Sequence, residues 1–475
     1  MTRNDGDWLT ETLARLTDDG DGPQWPSTEA LRSRASRRRL RRRTAVSLVA
    51  VVVVGAAVLV AISRPPAHGP KAELAIVGHS GSAIELAAKA TPTTNGVGRH
   101  DEARLATAEN GFALSLLRQL NASGSGAPNL VTSPSSLATV LSMLELGARG
   151  PTASQIATAL GTPNLTSSQQ AAAWHALSTD ELEAATRAGI DLESANSLWM
   201  QKGLPLTAGF MAELSQQFAA GVWQVDFENH PAAAVAALNS WVSAQTHGRI
   251  TELFDPGSIN TQTALILANA VYFKGAWQQP FNPAETRSGT FHAANGVGSA
   301  ASFMFSDTLV APATKGSGYD AVQLPYKGGR FAALVIMPTA GTLANFVDGL
   351  SPASLDRLVS GLRKTAVNLS MPKFQLTDSH NLNSVLQSMG VTDAFANADL
   401  SGLSPNSLFV SQVEQRAFLK VSEQGTEAAA VSGVSATSSL RLGQSITIDH
   451  PFLFLVRDTT TGAILFDAEV ENPNS

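Results

Sequence analysis

Residues 423–430 read Glu423-Gln424-Gly425-Thr426-Glu427-Ala428-Ala429-Ala430, and Val431 to Ser439 continues in the same small, largely uncharged residues. Few of these side chains can build a core. By composition the stretch is an exposed loop between strands. A loop running from Gly425 to Gly443 inside an otherwise compact domain is nevertheless unusual, and long loops of this kind are commonly functional.

The sequence around it supplies the elements of a mixed domain. Ala108 to Leu120 places Phe112, Leu116, Leu117 and Leu120 on one helical face, and Ser135 to Leu146 forms a second apolar helix stopped by Gly147. Ala264 to Phe273 is a nearly continuous apolar run that suits a strand buried on both faces. Phe331 to Met337, Val367 to Phe374, Pro451 to Arg457 and Ala463 to Val470 are further strand candidates. The last two are joined by the hairpin turn Thr459-Thr460-Thr461-Gly462. Helices come first and strands dominate later, so the class is α+β.

Charge divides the 475 residues unevenly. The formal net charge of −6 sums a basic leader, residues 1–43, and a strongly acidic stretch from 101 to 475. Eight arginines fall within 32–43, and the uncharged run Ala45 to Ile62 follows them. With Thr44 and Ser63 it measures roughly 30 Å as a helix, the thickness of a bilayer's hydrocarbon core. The positive-inside rule then keeps 1–43 cytoplasmic, makes 44–63 a transmembrane helix, and puts the rest outside a cell membrane crossed once. A cleaved signal peptide is the rival reading; the long polar leader and the absence of a good cleavage site before Pro65 speak against it. Residues 64–100 are rich in Pro, Gly, Ala and Thr and read as a flexible extracytoplasmic linker, leaving 101–475 as the folded domain. The acidic domain gives no reason to expect a nucleic-acid partner.

Signals for catalysis are absent. There is no cysteine, and the nine histidines form no ligand pair, so no metal or cofactor is expected. Gly78-His79-Ser80-Gly81-Ser82 narrowly misses the hydrolase nucleophile elbow and reads as linker. Glu181 and Glu183 sit in a polar helical stretch and read as a solvated face. The chain is not expected to be an enzyme.

Glu423-x-Gly425-Thr426-Glu427-Ala428-Ala429-Ala430 resembles the reactive-loop hinge of an inhibitory serpin. Ile448-Asp449-His450-Pro451-Phe452-Leu453-Phe454-Leu455 is similar to that family's C-terminal signature. Asn269-Ala270-Val271-Tyr272-Phe273-Lys274-Gly275-x-Trp277, with Pro280-Phe281, matches its central-strand and breach motif, and Ser133-Pro134-x-Ser136 the start of its helix B. Leu324-Pro325-Tyr326, Met371-Pro372-Lys373-Phe374 and Asp399-Leu400-Ser401 follow in family order, from about Glu102 to Pro473. The resemblance implies the serpin fold: three β-sheets, about eight or nine helices and an exposed reactive-centre loop at about 423–445.

It also implies a monomeric suicide inhibitor of a serine or cysteine protease, whose cleaved loop inserts into the central sheet. Loop insertion of this kind is a known form of strand addition. The residues permit it: in an extended strand Thr426, Ala428, Ala430, Ser432 and Val434 share a face without charge or bulk, and Glu427 falls on the other. The reactive bond implied is Ser439–Leu440, suiting an elastase- or subtilisin-like protease. If the loop is one residue longer than usual the bond is Leu440–Arg441, suiting a chymotrypsin-like one; cleavage after Arg441 is the third choice. The shutter and breach implied are Ser133, Ser136, Asn269, Trp277 and Gln415. Gln415 stands where the family usually has His, which removes a titratable group but keeps hydrogen-bonding capacity. The alternative is a non-inhibitory binding protein on the same fold.

Overall fold

The computed structural model describes residues 74–80, 82–88, 99–123, 129–218, 221–294, 296–426 and 443–474. The leader at 1–43 and the span expected at 44–63 lie outside them. Among the described residues no helix is long and apolar enough to cross a membrane.

Five helices come early: α1 (Arg99–Ala122), α2 (Pro134–Gly147), α3 (Gly150–Ala159), α4 (Ser167–Ala188) and α5 (Ala208–Phe218). Pro134 opens α2 at a position where its missing N–H costs nothing. The preceding Ser133 does not cap the helix; its hydroxyl donates instead to the Leu465 carbonyl at 2.6 Å. A Thr166/Gln169 capping box starts α4, and Gly189, left-handed at φ +69°, ends it. The later helices are α6 (Pro231–Gln245), α7 (Leu343–Asp348), α8 (Pro352–Gly361) and α9 (Asn383–Ser388).

One sheet has eight strands. They are β1 (Leu74–Ser80), β2 (Ala83–Ala88), β5 (Val222–Val225), β4 (Asp191–Gln201), β6 (Leu265–Ala276), β14 (Gly425–Thr426), β13 (Gln412–Ser422) and β12 (Phe374–Asn381), in that spatial order. The second runs β15 (Gln444–Thr447), β11 (Arg363–Pro372), β8 (Gly298–Gly316), β9 (Tyr319–Pro325), β10 (Phe331–Pro338), β16 (Phe452–Asp458), β17 (Ile464–Val470) and β3 (Asn129–Thr132), with β7 (Arg287–His292) beside β8. Three sheets were expected and the ladders form two. The 19-residue β8 pairs with β7 from Gly298 to Phe303, with β11 from Phe303 to Ala313 and with β9 from Ala313 to Gly316, so it carries hydrogen bonding continuously between what would be separate sheets.

Val367 to Phe374, expected as one strand, is divided: Lys373 separates β11 from β12, which belong to different sheets. The aromatic-rich core holding Phe273, Trp277, Phe374, Phe452, Phe454 and Phe466 draws on strands of both sheets. A second cluster joins α1 to α5 with β4 and β6. A third lies at α6, where Trp199 stacks on Trp223 at 5.0 Å and meets Trp241 edge-on.

Two expectations are corrected here. Residues 64–100 are not simply a tether, since 74–88 form the hairpin β1–β2, which pairs with β5, and α1 begins at Arg99. His79 and Ser80 end β1 and pair antiparallel with Ile84 and Ala83 of β2, so the strand leads into another strand and not into the helix that follows a nucleophile elbow. Glu181 is not solvated: it is buried with Oε1 unpartnered, and desolvation, reinforced by Glu109 and Asp458, pushes its carboxyl well above the ordinary range despite nearby Arg330. Only Glu183 is exposed, pairing with Arg187 at 3.1 Å.

Candidate functional site: a gap between two parallel strands

β6 and β13 run parallel in the eight-stranded sheet, in register from Ile266↔Gln412 to Tyr272↔Phe418. Beyond that rung they part, and β14 fills the opening. Thr426 pairs with Val421 of β13 and Gly275 of β6; Gly425 pairs with Ser422 and Ala276. The hinge therefore begins as a short strand bonded on both sides. The expected exposed loop at about 423–445 is corrected at both ends: Glu423, Gly425 and Thr426 are buried, and Gln444 already belongs to β15, parallel to β11. Glu427, Ala428, Ala429, Ala430, Ser439, Leu440 and Arg441 lie outside the described residues.

Each hinge residue among the described ones is held by a separate device. Gly425 has φ +149°, and a Cβ there would lie 2.1 Å from the Gly275 carbonyl oxygen, so glycine is required on both steric counts. The Thr426 hydroxyl shares a 2.7 Å hydrogen bond with the Tyr326 phenol. Both residues are fully buried, and burial pushes the phenol's pKa up. Trp277 stacks on Tyr326 with centroids 4.6 Å apart, and its indole N–H donates to the Ser422 carbonyl at 2.9 Å. The backbone N–H groups of Trp277 and Phe281 donate to the carbonyls of Gln424 and Glu423.

The Glu423 carboxylate accepts from Thr286 at 2.7 Å and pairs with Lys373 at 3.0 Å. Burial alone would raise its pKa; the Thr286 hydroxyl, its own backbone amide and Lys373 together hold it below the ordinary value.

A polar cluster lies further down, where β6 and β13 are paired directly. Asn196, Asn269 and Gln415 face one another across β4, β6 and β13 on a single rung. Gln415 Nε2 donates to Asn269 Oδ1 at 2.6 Å and to the Ser133 carbonyl at 2.9 Å, and its Oε1 accepts from the Ser133 N–H at 3.1 Å. The Asn269 amide donates to Ser136 and Asn196, and Ser136 shares a 2.7 Å hydrogen bond with Ser194. A glutamine thus pins the sheet to the start of α2 using both ends of its amide. The structure brings Ser133, Ser136, Asn269 and Gln415 together in one hydrogen-bonded cluster and places Trp277 beside Ser422 and Gln424. Sequence reasoning missed Ser194, Asn196, Thr286 and the pairing roles of Tyr326 and Lys373. The last two lie within quoted motifs, Leu324-Pro325-Tyr326 and Met371-Pro372-Lys373-Phe374. Among the described residues no group of three acidic or histidine side chains could hold a metal ion.

Below β14 the strands β6 and β13 bond directly to each other, and only the opening above the Tyr272↔Phe418 rung is occupied by β14. Thr426 sets which face of any continuation turns inward: Ala428, Ala430, Ser432 and Val434 share its parity.

Comparison with known proteins agrees with this geometry. A profile of the family described as "Serpin (serine protease inhibitor)" matches residues 107–473. A serpin-like protein of Thermococcus kodakarensis is 32% identical over 377 residues, covering 78% of this chain and 86% of that one. The leukocyte elastase inhibitor of Xenopus laevis is 32% identical over 382 residues, covering 78% and 99%. The crystal structure of human thyroxine-binding globulin complexed with its hormone superposes with TM-score 0.72 at 28% identity, covering 79% of this chain and all of that one.

Proposed function

Because the chain belongs to the serpin family, we propose that it is an inhibitory member that traps a serine protease by a suicide mechanism. The observation that carries this reading is β14: the two residues that would lead an inserting loop already pair with both strands of the gap. In the proposed sequence the protease serine adds to the carbonyl carbon of Ser439. The peptide bond to Leu440 breaks, and Leu440 leaves as a new amino terminus. The segment from Thr426 onward, carrying the ester, continues β14 between β6 and β13 and draws the protease along before water can release it. Leu440–Arg441 is the second choice of bond.

Small uncharged residues on the inward face keep the desolvation cost of insertion low. Backbone hydrogen bonds to both neighbours and burial of the alanines favour the inserted form. The proposal includes a tether at 44–63 that holds the inhibitor outside the cell membrane. Mixing the chain with subtilisin-, elastase- and chymotrypsin-like proteases should give a covalent complex that survives SDS. Turnover of the loop without a complex, with unchanged melting of the cut chain, favours a non-inhibitory binding protein instead.

A further inference from the structure

Residues 74–88 precede the first residue matched to the family, 107, yet they build two strands of the sheet that would open. β2 pairs antiparallel with β5 through Ile84↔Gln224, Glu85↔Trp223 and Leu86↔Val222. Without this pairing β5 would be an edge strand with an unsatisfied row of backbone groups.

Three features show that the edge and the segment fit each other. A Cβ at Gly221 would lie 2.4 Å from the Leu86 carbonyl oxygen, so the close approach of these backbones depends on glycine. The Gly221 N–H donates to the Glu85 carboxylate at 3.2 Å, a contact between side chain and backbone in addition to the ladder. Ala83 is fully buried in the tryptophan cluster beside α6, and Leu86 packs against the cluster that contains Phe210, Met211 and Leu214 of α5. The hairpin therefore joins β5 to a helix cluster on each side, with β2 against α5 and β1 against α6.

We propose that the outer edge of β5, with α5 and α6, is a strand-docking site whose occupant is the chain's own segment 74–88, and that its occupancy restrains opening of the sheet. To admit a strand between β6 and β13, the block β5–β4–β6 must shift away from β13–β12. A hairpin bonded to β5 and packed on both α5 and α6 has contacts that such a shift must break or carry along. The coupling rests on the strand-accepting role proposed for the gap; the docking itself does not.

The test uses the full chain and two substitutions from opposite sides of the contact. Gly221→Ala drives a methyl group into Leu86, and Glu85→Ala removes only the carboxylate. Two quantities are measured: hydrogen exchange of the amides of 222–225, and the rate at which a synthetic peptide of sequence Thr426–Thr437 is incorporated. In the unaltered chain these amides should be protected. Gly221→Ala should speed their exchange by about tenfold and speed peptide incorporation with it, and Glu85→Ala should do the same to a smaller degree. If Gly221→Ala does not fold, Glu85→Ala carries the test.

Unprotected β5 amides in the unaltered chain, or equal exchange in all forms, would overturn the docking. Faster exchange with unchanged incorporation would overturn the restraint. Protection that depends on protein concentration would make a second copy the occupant and overturn the intrachain assignment. Neither readout involves a protease. Failure to trap one would therefore leave the docking standing, and loss of β5 protection in a chain that still traps would sink this proposal alone.

Discussion

The hydroxyl of Thr426 meets the phenol of Tyr326 at 2.7 Å, across 100 residues of chain and out of contact with water. This hydrogen bond, under the Trp277 ring, seats the first residue of the loop in the sheet. Tyr326→Phe keeps the stacking and leaves the Thr426 hydroxyl unpaired, at about 1 kcal/mol or somewhat more. Hydrogen exchange at 425–426 should quicken while the denaturant midpoint of the whole domain moves only slightly.

Thr426→Arg asks the same position to bury a charge. An unpaired buried charge is strongly unfavourable, so continued insertion past Gly425 should stop. A target protease should then cut the loop and leave, giving cleaved chain in place of SDS-resistant complex. Complex yield on gels measures this directly.

Gln415 satisfies the Ser133 N–H and carbonyl together with Asn269, all buried. Gln415→Ala strands these partners and should cost about 1–3 kcal/mol by urea unfolding. Gln415→His restores some of the bonding and adds a titratable ring whose protonation is opposed by burial, so its stability relative to the unaltered chain should be lower at pH 5.5 than at pH 7.

Buried carboxyls set the overall pH response. Asp467 is pushed up to about 8, first by burial and then by Glu469, against the Thr132 hydrogen bond. Burial likewise takes Glu145 to about 8, and Glu414 and Glu469 to about 7. In each case the folded pKa lies above the unfolded one. The folded state therefore binds more protons between these values, and stability falls as pH rises from about 4.5 through 8. Melting should be higher at pH 5.5 than at pH 8, and Asp467→Asn should flatten the difference. A melting temperature that rises over this window would refute the assignment.

Much of this was legible from local pattern. The apolar run from Ala264 identified β6, because a strand buried on both faces needs no alternation. Gly425-Thr426 belongs to a stretch that resembles the family's hinge, and these two residues lie between β6 and β13. What stayed hidden depends on partners distant in sequence. Residues 74–88 read as linker because short strands without strong alternation form only against an existing edge, and that edge lies near residue 222. Glu181 looked solvated because its helix is polar, whereas its surroundings come from α1, Arg330 and Asp458. Tyr326 stood within a quoted motif, but its role depends on Thr426 being in the sheet.

The central claim is that Gly425–Thr426 is the beginning of a strand the rest of the loop completes after cleavage. Mass spectrometry of the chain incubated with an elastase- or subtilisin-like protease tests it most directly. The expected product is an SDS-resistant conjugate of protease with residues ending at Ser439, together with a released peptide beginning at Leu440. A loop cut at that bond with free, active protease and no conjugate would contradict it.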